Sequence, residues 1–232
     1  MTDQLEIQLD GQLVPVRVRK NAQARRMVLR VCPTSGEIRL TMPRRARLGA
    51  ARKFLLDHVS WIEEQRSKAA SVPTVGHGHD LLFCGRPHQL SFTGVPPRKV
   101  LLEGGALYVG GPSEMAPKRL LNWLKAEAKS RLEVACQTHA GTLGVDYSRI
   151  SIGDMKSRWG SCSSRGTLRF NWRLVMAPEA VLDYVAAHEV AHLLEMNHSD
   201  RFWEHVARCD SAYQDNRRWL KRNGGTLFAV KF

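Results

Sequence analysis

The chain has 232 residues, 43% of them hydrophobic, and a formal net charge of +13. That length and apolar content allow a real core in one large or two small domains and exclude a chain disordered throughout. No apolar run approaches the roughly 20 residues of a membrane span. The polar start MTDQLEIQLDGQLVPV lacks the apolar core of a secretion signal, so a soluble, cytoplasmic protein with no membrane partner is expected.

The charge is uneven along the chain. Residues 11–53 hold twelve Lys or Arg against one acid, Glu37, whereas residues 181–200 hold four acids and no Lys or Arg. A positive field of this kind attracts polyanions, so non-specific nucleic-acid contact through the basic N-terminal region is one expectation. The plainer expectation is a solvated surface, because stacking aromatics do not interleave with the charges. The five cysteines, Cys32, Cys84, Cys136, Cys162 and Cys209, are widely spaced with no C-x-x-C pair. That usage fits a reducing compartment and thiols buried as small hydrophobes.

In chain order, Leu5–Leu9, Leu13–Val18, Met27–Val31 and Glu37–Met42 alternate with period two. Asp10-Gly11 and Pro33-Thr34-Ser35-Gly36 separate them as turns, which predicts a small antiparallel sheet. From Arg44 to Lys68 the period becomes helical, with Leu48, Ala51, Leu55, His58 and Ile62 on one buried stripe and Trp61 at its edge. Residues 71–80, SVPTVGHGHD, read as a loop in which His77 and His79 are solvated rather than metal-binding. Further strands are expected at Leu81–Phe83, His88–Phe92, Val100–Leu102 and Ala106–Val109, with no internal repeat. Met115–Thr138 reads as a long amphipathic helix ended near Gly141. A strand at Arg149–Ile152, a polar turn and a strand at Thr167–Leu174 follow. Asn216–Asn223 reads as the end of a basic C-terminal helix with Trp219 buried.

Between the last strand and that C-terminal helix lies His188-Glu189-Val190-Ala191-His192, an H-E-x-x-H pattern. Pro178 and Glu179 suit a helix start, and Val181, Val185, His188 and His192 then continue one stripe. Residues four apart share a helix face, so His188 and His192 can bind one ion while Glu189 points at its water. A catalytic zinc takes three protein ligands, and His198 is the best third. On an unbroken helix His198 would stand about 15 Å from His188, so the helix must end near Glu195–Asn197, with Asn197 tolerating the left-handed turn. Glu195, Asp200, Glu204 and Asp210 are alternative oxygen donors, and His205 is expected outside the ligand set. H-E-x-x-H-x5-H has the ligand spacing of metzincin proteases, with Glu195 where their pattern has Gly.

Several segments around that pattern carry a wider resemblance: Arg158-Trp159-Gly160-Ser161-Cys162-Ser163, Leu168–Leu174, Ala177-Pro178, Asn197-His198-Ser199 and Phe202-Trp203. Together with H-E-x-x-H they resemble the YgjP-like metal-dependent hydrolase family, related to SprT-like and WLM zinc peptidases, and the similarity covers nearly the whole chain. The resemblance implies an α+β fold in which an N-terminal antiparallel β-rich region with one helix (1–114) precedes a zincin-like domain with a short sheet and a metal helix (115–232). It also implies zinc held by His188, His192 and His198 with Glu189 as base.

In zinc peptidases an extended substrate lies along an edge strand, and Thr167–Leu174 is the expected edge. Arg158, Arg165 and Lys156 are expected to meet substrate carboxylate or phosphate, and Asn171 and Arg173 to line the polar side of that strand. Trp159 either walls a pocket or packs. Cys162 is expected to pack rather than act as nucleophile, because a zinc site needs none. Phe202 and Trp203 are expected to hold the His198 loop. Three functions follow: a zinc metallopeptidase acting on protein or peptide, a metal-dependent nucleoside triphosphate hydrolase on the same scaffold, and a basic binding module with a structural metal. A structural site has no use for Glu189, which favours the enzymes.

Overall fold

Alternating side chains in the first forty-three residues build a sheet with one apolar face. The computed structural model describes residues 2–32, 35–70, 74–155 and 158–232, so Pro33, Thr34, residues 71–73 of the expected loop, and Lys156 lie outside the described residues. Two compact units divide the chain: Met1–Pro73 with Ala229–Lys231, and Thr74–Phe228 with Phe232. Position 114, the expected division, lies inside the second.

In the first unit, strands β1 (Thr2–Leu9), β2 (Gln12–Asn21), β3 (Val28–Val31) and β4 (Ile38–Pro43) lie in the order β1-β2-β4-β3. The β1–β2 and β3–β4 pairs are antiparallel, but β2 and β4 run parallel, where an all-antiparallel sheet was expected. Ile7, Leu9, Val16, Val18, Ile38, Leu40 and Met42 form its buried face and meet Ala51, Leu55 and Ile62 in one core. Those three come from two helices, α1 (Leu48–Leu56) and α2 (Val59–Ala70), where one continuous helix was expected. The break falls at Asp57-His58, and the His58 ring Nδ1 lies 2.8 Å from the Phe54 carbonyl. Leu48 is 39% and Trp61 40% exposed, so the buried stripe is narrower than the period suggested.

The second unit opens with β5 (Asp80–Phe83), β6 (Arg86–Phe92), β7 (Val100–Glu103) and β8 (Ala106–Val109), in the order β5-β6-β8-β7. Its central pair, β6–β8, is again parallel and flanked by two antiparallel hairpins. Both sheets thus share one topology. The first hairpin of each also turns on two residues of positive φ: Asp10 (46°) and Gly11 (78°), Cys84 (50°) and Gly85 (76°). That conformation at both central residues is the type I′ turn, whose twist matches the strands it joins. The chain therefore carries a structural repeat, where none was expected. The two sets of strands carry different side chains, so the sequence hides it.

Helix α3 (Ala116–Leu143) then runs past Gly141, with Gly144 as its cap, five residues beyond the expected end. Its buried stripe, Leu120, Leu124, Ala128, Leu132 and Cys136, recurs every four residues as a core-facing helix requires. A three-stranded sheet follows, made of β9 (Arg149–Gly153), β10 (Gly160–Cys162) and β11 (Thr167–Asn171) in the order β10-β11-β9. Helices α4 (Glu179–Ala191), α5 (Asp200–Cys209) and α6 (Tyr213–Asn223) complete the unit, giving an α+β fold. Helix α4 packs on α3, α5, α6 and β10, and is buried on nearly every side. The His139 ring of α3 reaches Asp183 of α4 at 3.0 Å across that packing. Trp219 of α6 is half-buried rather than buried.

Candidate metal centre

The approach to α4 is set by a turn that the sequence did not signal. Asn171 ends β11 by accepting the Arg173 amide on its own side chain at 3.1 Å, and Trp172–Met176 coil into a 3-10 turn. The expected strand Thr167–Leu174 therefore stops at Asn171. The Cys84-Gly85 turn then docks here, with the Cys84 amide on the Val175 carbonyl at 2.8 Å and the Gly85 amide on Met176 at 3.1 Å. A Cβ at Gly85 would stand 2.9 Å from Pro178, the residue that caps α4. The first turn of the H-E-x-x-H helix is thus held in place by a hairpin from the preceding sheet.

Helix α4 ends at Ala191, with His192 as its cap, four residues before the expected end. The last amides tighten, Leu193 onto Val190 and Leu194 onto Ala191. The chain is then drawn back by side chains. His192 Nδ1 lies 3.0 Å from the Glu195 carbonyl. Because a carbonyl only accepts, Nδ1 carries the proton and Nε2 keeps a free lone pair. Asn197 donates to Glu195 Oε1 at 2.6 Å and accepts the Ser199 amide at 2.9 Å. Among the described residues only Asp10 and Cys84 are non-glycine residues with positive φ, so Asn197 acts through its side chain and not through a left-handed backbone. Ser199 then caps α5 by accepting the Phe202 amide.

This reversal returns His198 to the helix. Ligand atoms of His188, His192 and His198 all lie within 4.8 Å of one another. His188 Nε2 and His198 Nε2 are 3.1 Å apart, near the roughly 3.3 Å that separates two nitrogens on one tetrahedral zinc with bonds of about 2.0–2.1 Å. Among the described residues this is the one group of His, Cys, Asp and Glu placed to hold an ion; Glu195, Asp200, Glu204, Asp210 and His205 stand outside it, as do His77 and His79. Phe202, fully buried, lies beneath all three rings at 4.5–4.9 Å, and Trp203 stacks on His198 at 5.8 Å. Trp203 is backed in turn by Tyr213 at 5.4 Å and the Arg217 guanidinium at 4.6 Å.

The electrostatics keep two of the rings, His188 and His192, in ligand form. Burial, with His192 and His198 beside it, pulls His188 down to about 3, and burial also lowers His192. Both are neutral near pH 7 and have a lone pair to offer. The buried His188 Nδ1 and Glu189 Oε2 have no hydrogen-bond partner within the protein. Glu189 itself is 5% exposed. Burial pushes its carboxyl up to about 8, and the Arg158 charge opposes this only in part. A Cβ on Gly160 would collide with the Glu189 carboxyl, so strand β10 lies directly against it.

Sequence reasoning missed Gly160. Its signal was the run of small residues after Trp159, which read as a turn but forms an edge strand. In the order β10-β11-β9, β11 is paired on both sides. The expected edge Thr167–Leu174 is therefore interior, and β10 is the edge that adjoins α4.

Asn171 and Arg173 are buried and paired within the protein. Asn171, 0% exposed, donates to the Met155 carbonyl at 2.7 Å. Arg173, 3% exposed, is paired to Asp154 at 2.5 Å and lies over Trp172 at 4.4 Å. Arg158 and Arg165 are exposed. Trp159 packs on Phe228 at 5.1 Å. Cys162 donates to the Ser163 carbonyl at 3.5 Å, and burial, aided by the Glu189 charge, pushes its thiol up to about 11, far from a thiolate at neutral pH.

A family model described as YgjP-like, metallopeptidase domain, matches residues 25–223 of the chain. Among solved structures the chain is similar to the metallopeptidase zymogen of Pyrococcus abyssi abylysin, at 21% identity over 39% of this chain and 93% of that one, with a TM-score of 0.36. No curated protein matches it.

Proposed function

The chain belongs to the YgjP-like metallopeptidase-domain family, and on that premise we propose that it is a zinc-dependent peptidase in which His188, His192 and His198 hold the ion and Glu189 is the general base. The observation that carries this reading is the convergence of three histidine donor atoms within 4.8 Å, beside a buried carboxyl. Three imidazole nitrogens suit zinc, though manganese, cobalt or nickel can also occupy such a set. Zinc, when bound there, supplies a Lewis acid and lowers the pKa of water toward 7.

The protein's own residues supply the rest. One oxygen of the buried Glu189 carboxylate takes a proton from the attacking water as the water oxygen bonds to the peptide carbon. The same oxygen then returns that proton to the nitrogen as the C–N bond breaks. Burial raises this carboxyl above an ordinary carboxylate, which makes it a stronger proton acceptor than an exposed one.

Strand β10 is the surface for the substrate backbone. Trp159 and Ser163 bond to Asn171 and Thr167 of the β11 side, so in an antiparallel ladder residues 159, 161 and 163 face β11. Gly160 and Cys162 consequently turn their amides and carbonyls to the free edge, where an extended peptide adds as a further strand. No helix among the described residues is long and apolar enough to cross a membrane.

A second reading, hydrolysis of a nucleoside triphosphate, is favoured by the exposed Arg158, whose charge acts on Glu189. One experiment separates the two. Protein of known zinc content is given an unfolded protein and a nucleoside triphosphate panel in parallel, with Glu189→Gln as control. Protein cleavage that disappears in Glu189→Gln while zinc stays bound supports the peptidase. Phosphate or pyrophosphate release that disappears in the variant, with protein left intact, replaces it with the second reading.

A further inference from the structure

The outer face of the first sheet concentrates the charge that the sequence spreads over residues 11–53. Opposite the buried Val16, Val18, Ile38 and Leu40, the side chains of Arg17, Arg19, Arg30 and Arg39 are exposed. The register aligns three of them. Arg17 of β2 is partnered with Arg39 of β4, and Arg39 with Arg30 of β3, so a row of guanidinium groups crosses three adjacent strands. Glu37 is the acid in this stretch, and it contacts Arg17 at 2.8 Å and Arg39 at 2.5 Å.

Topology adds a second concentration. Because β2 and β4 are parallel and β3 is antiparallel to β4, the end of β2, the start of β3 and the end of β4 lie at one end of the sheet. Arg25 and Arg26, just before β3, and Arg44 and Arg45, just after β4, therefore gather beside Arg19. Like charges directly opposite on neighbouring strands are destabilising, and a surface serving solubility alone mixes both signs.

We propose that this arginine face docks the phosphate backbone of double-stranded nucleic acid, without reading its sequence. Charge complementarity names a polyanion. The outward positions of these strands carry no aromatic ring, so single strands gain no base stacking there. Membrane docking calls for apolar side chains among the charges. Among the described residues of this sheet, Leu13 is the large apolar side chain that is exposed, and it sits at the opposite end.

The test uses the full chain and fluorescence anisotropy with two duplexes of unrelated sequence, a single strand of equal length and anionic phospholipid vesicles, across a salt series. Both duplexes are expected to bind equally, with log K falling linearly as log salt rises. The variant Arg17→Gln/Arg30→Gln/Arg39→Gln is expected to weaken duplex binding at least about tenfold and to flatten the slope by about 0.9 for each phosphate no longer neutralised. A control of equal charge change, Lys99→Gln/Lys118→Gln/Lys221→Gln, is expected to stay within about twofold of the parent. Three results overturn the proposal: no duplex binding at low salt, equal weakening in both triple variants, or vesicle binding that depends on the arginines while duplex binding does not.

Discussion

The Glu189 carboxyl lies so close against Gly160 that the smallest side chain on Gly160 would overlap it. The proposed general base is thus confined by a strand backbone on one side and by helix packing on the others. Gly160→Ala is expected to lower kcat at least about tenfold and to destabilise the fold by about 1–3 kcal/mol, as overpacking of a filled interior does. Zinc affinity is expected to hold, since none of the three histidines moves. Steady-state kinetics beside zinc titration checks this, and an unchanged kcat would refute the confinement of Glu189.

His198 reaches the site only through the reversal built by His192, Asn197 and Ser199. His198→Ala is therefore expected to weaken zinc binding by more than the roughly 10–100-fold that follows removal of a hydrogen-bond partner behind a ligand. The stabilising effect of the ion should fall in parallel; for the parent chain, zinc at about 100 times its Kd adds about 2.7 kcal/mol. Competition with a chelator of known affinity measures the first quantity and thermal unfolding the second. Equal affinity in variant and parent would remove His198 from the ligand set.

Away from the site, His139 and Asp183 tie α3 to α4. Burial alone would lower His139, but hydrogen bonds to Asp183 and Cys209, with their charges, outweigh it and raise the imidazole to about 9. The folded value lies above the ordinary 6.5 of an unfolded chain, so the pair's stabilisation is complete below about 6.5 and is lost as pH rises through about 9. Asp183→Asn is expected to cost about 1–2 kcal/mol at pH 6, discounted because Asp183 is half-exposed, and much less at pH 10. Urea unfolding at the two pH values decides it; a gap that does not change with pH would rule the pair out as its source.

What could be read from the sequence depended on whether the signal was local. The strands of both sheets were visible in period-two alternation, and α4 in the spacing of Val181, Val185, His188 and His192. The parallel β2–β4 and β6–β8 pairings were not visible, because they join strands separated by a third strand and no side-chain period encodes them. Strand β10 was hidden by its length of three residues and by Gly160, whose lack of a side chain serves contact with Glu189 and not strand propensity. Asn171 and Arg173 looked outward on alternation alone. The 3-10 turn at Trp172 ends the alternation, and Asp154 and the Met155 carbonyl supply the polar partners that let both residues be buried.

The doubled sheet supplies an internal comparison. The Asp10-Gly11 and Cys84-Gly85 turns have the same backbone conformation, yet a Cβ on Gly11 meets nothing within 4 Å, while one on Gly85 meets Pro178 at 2.9 Å. Gly11→Ala therefore reports only the strain of a left-handed residue with a side chain, about 1–2 kcal/mol. Gly85→Ala reports the same strain plus displacement of the start of α4. Subtracting one from the other isolates the cost of disturbing the root of the histidine helix, and zinc affinity should fall with Gly85→Ala and not with Gly11→Ala. A side chain on Gly11 strains only its own turn; one on Gly85 also disturbs the start of the helix that carries His188 and His192.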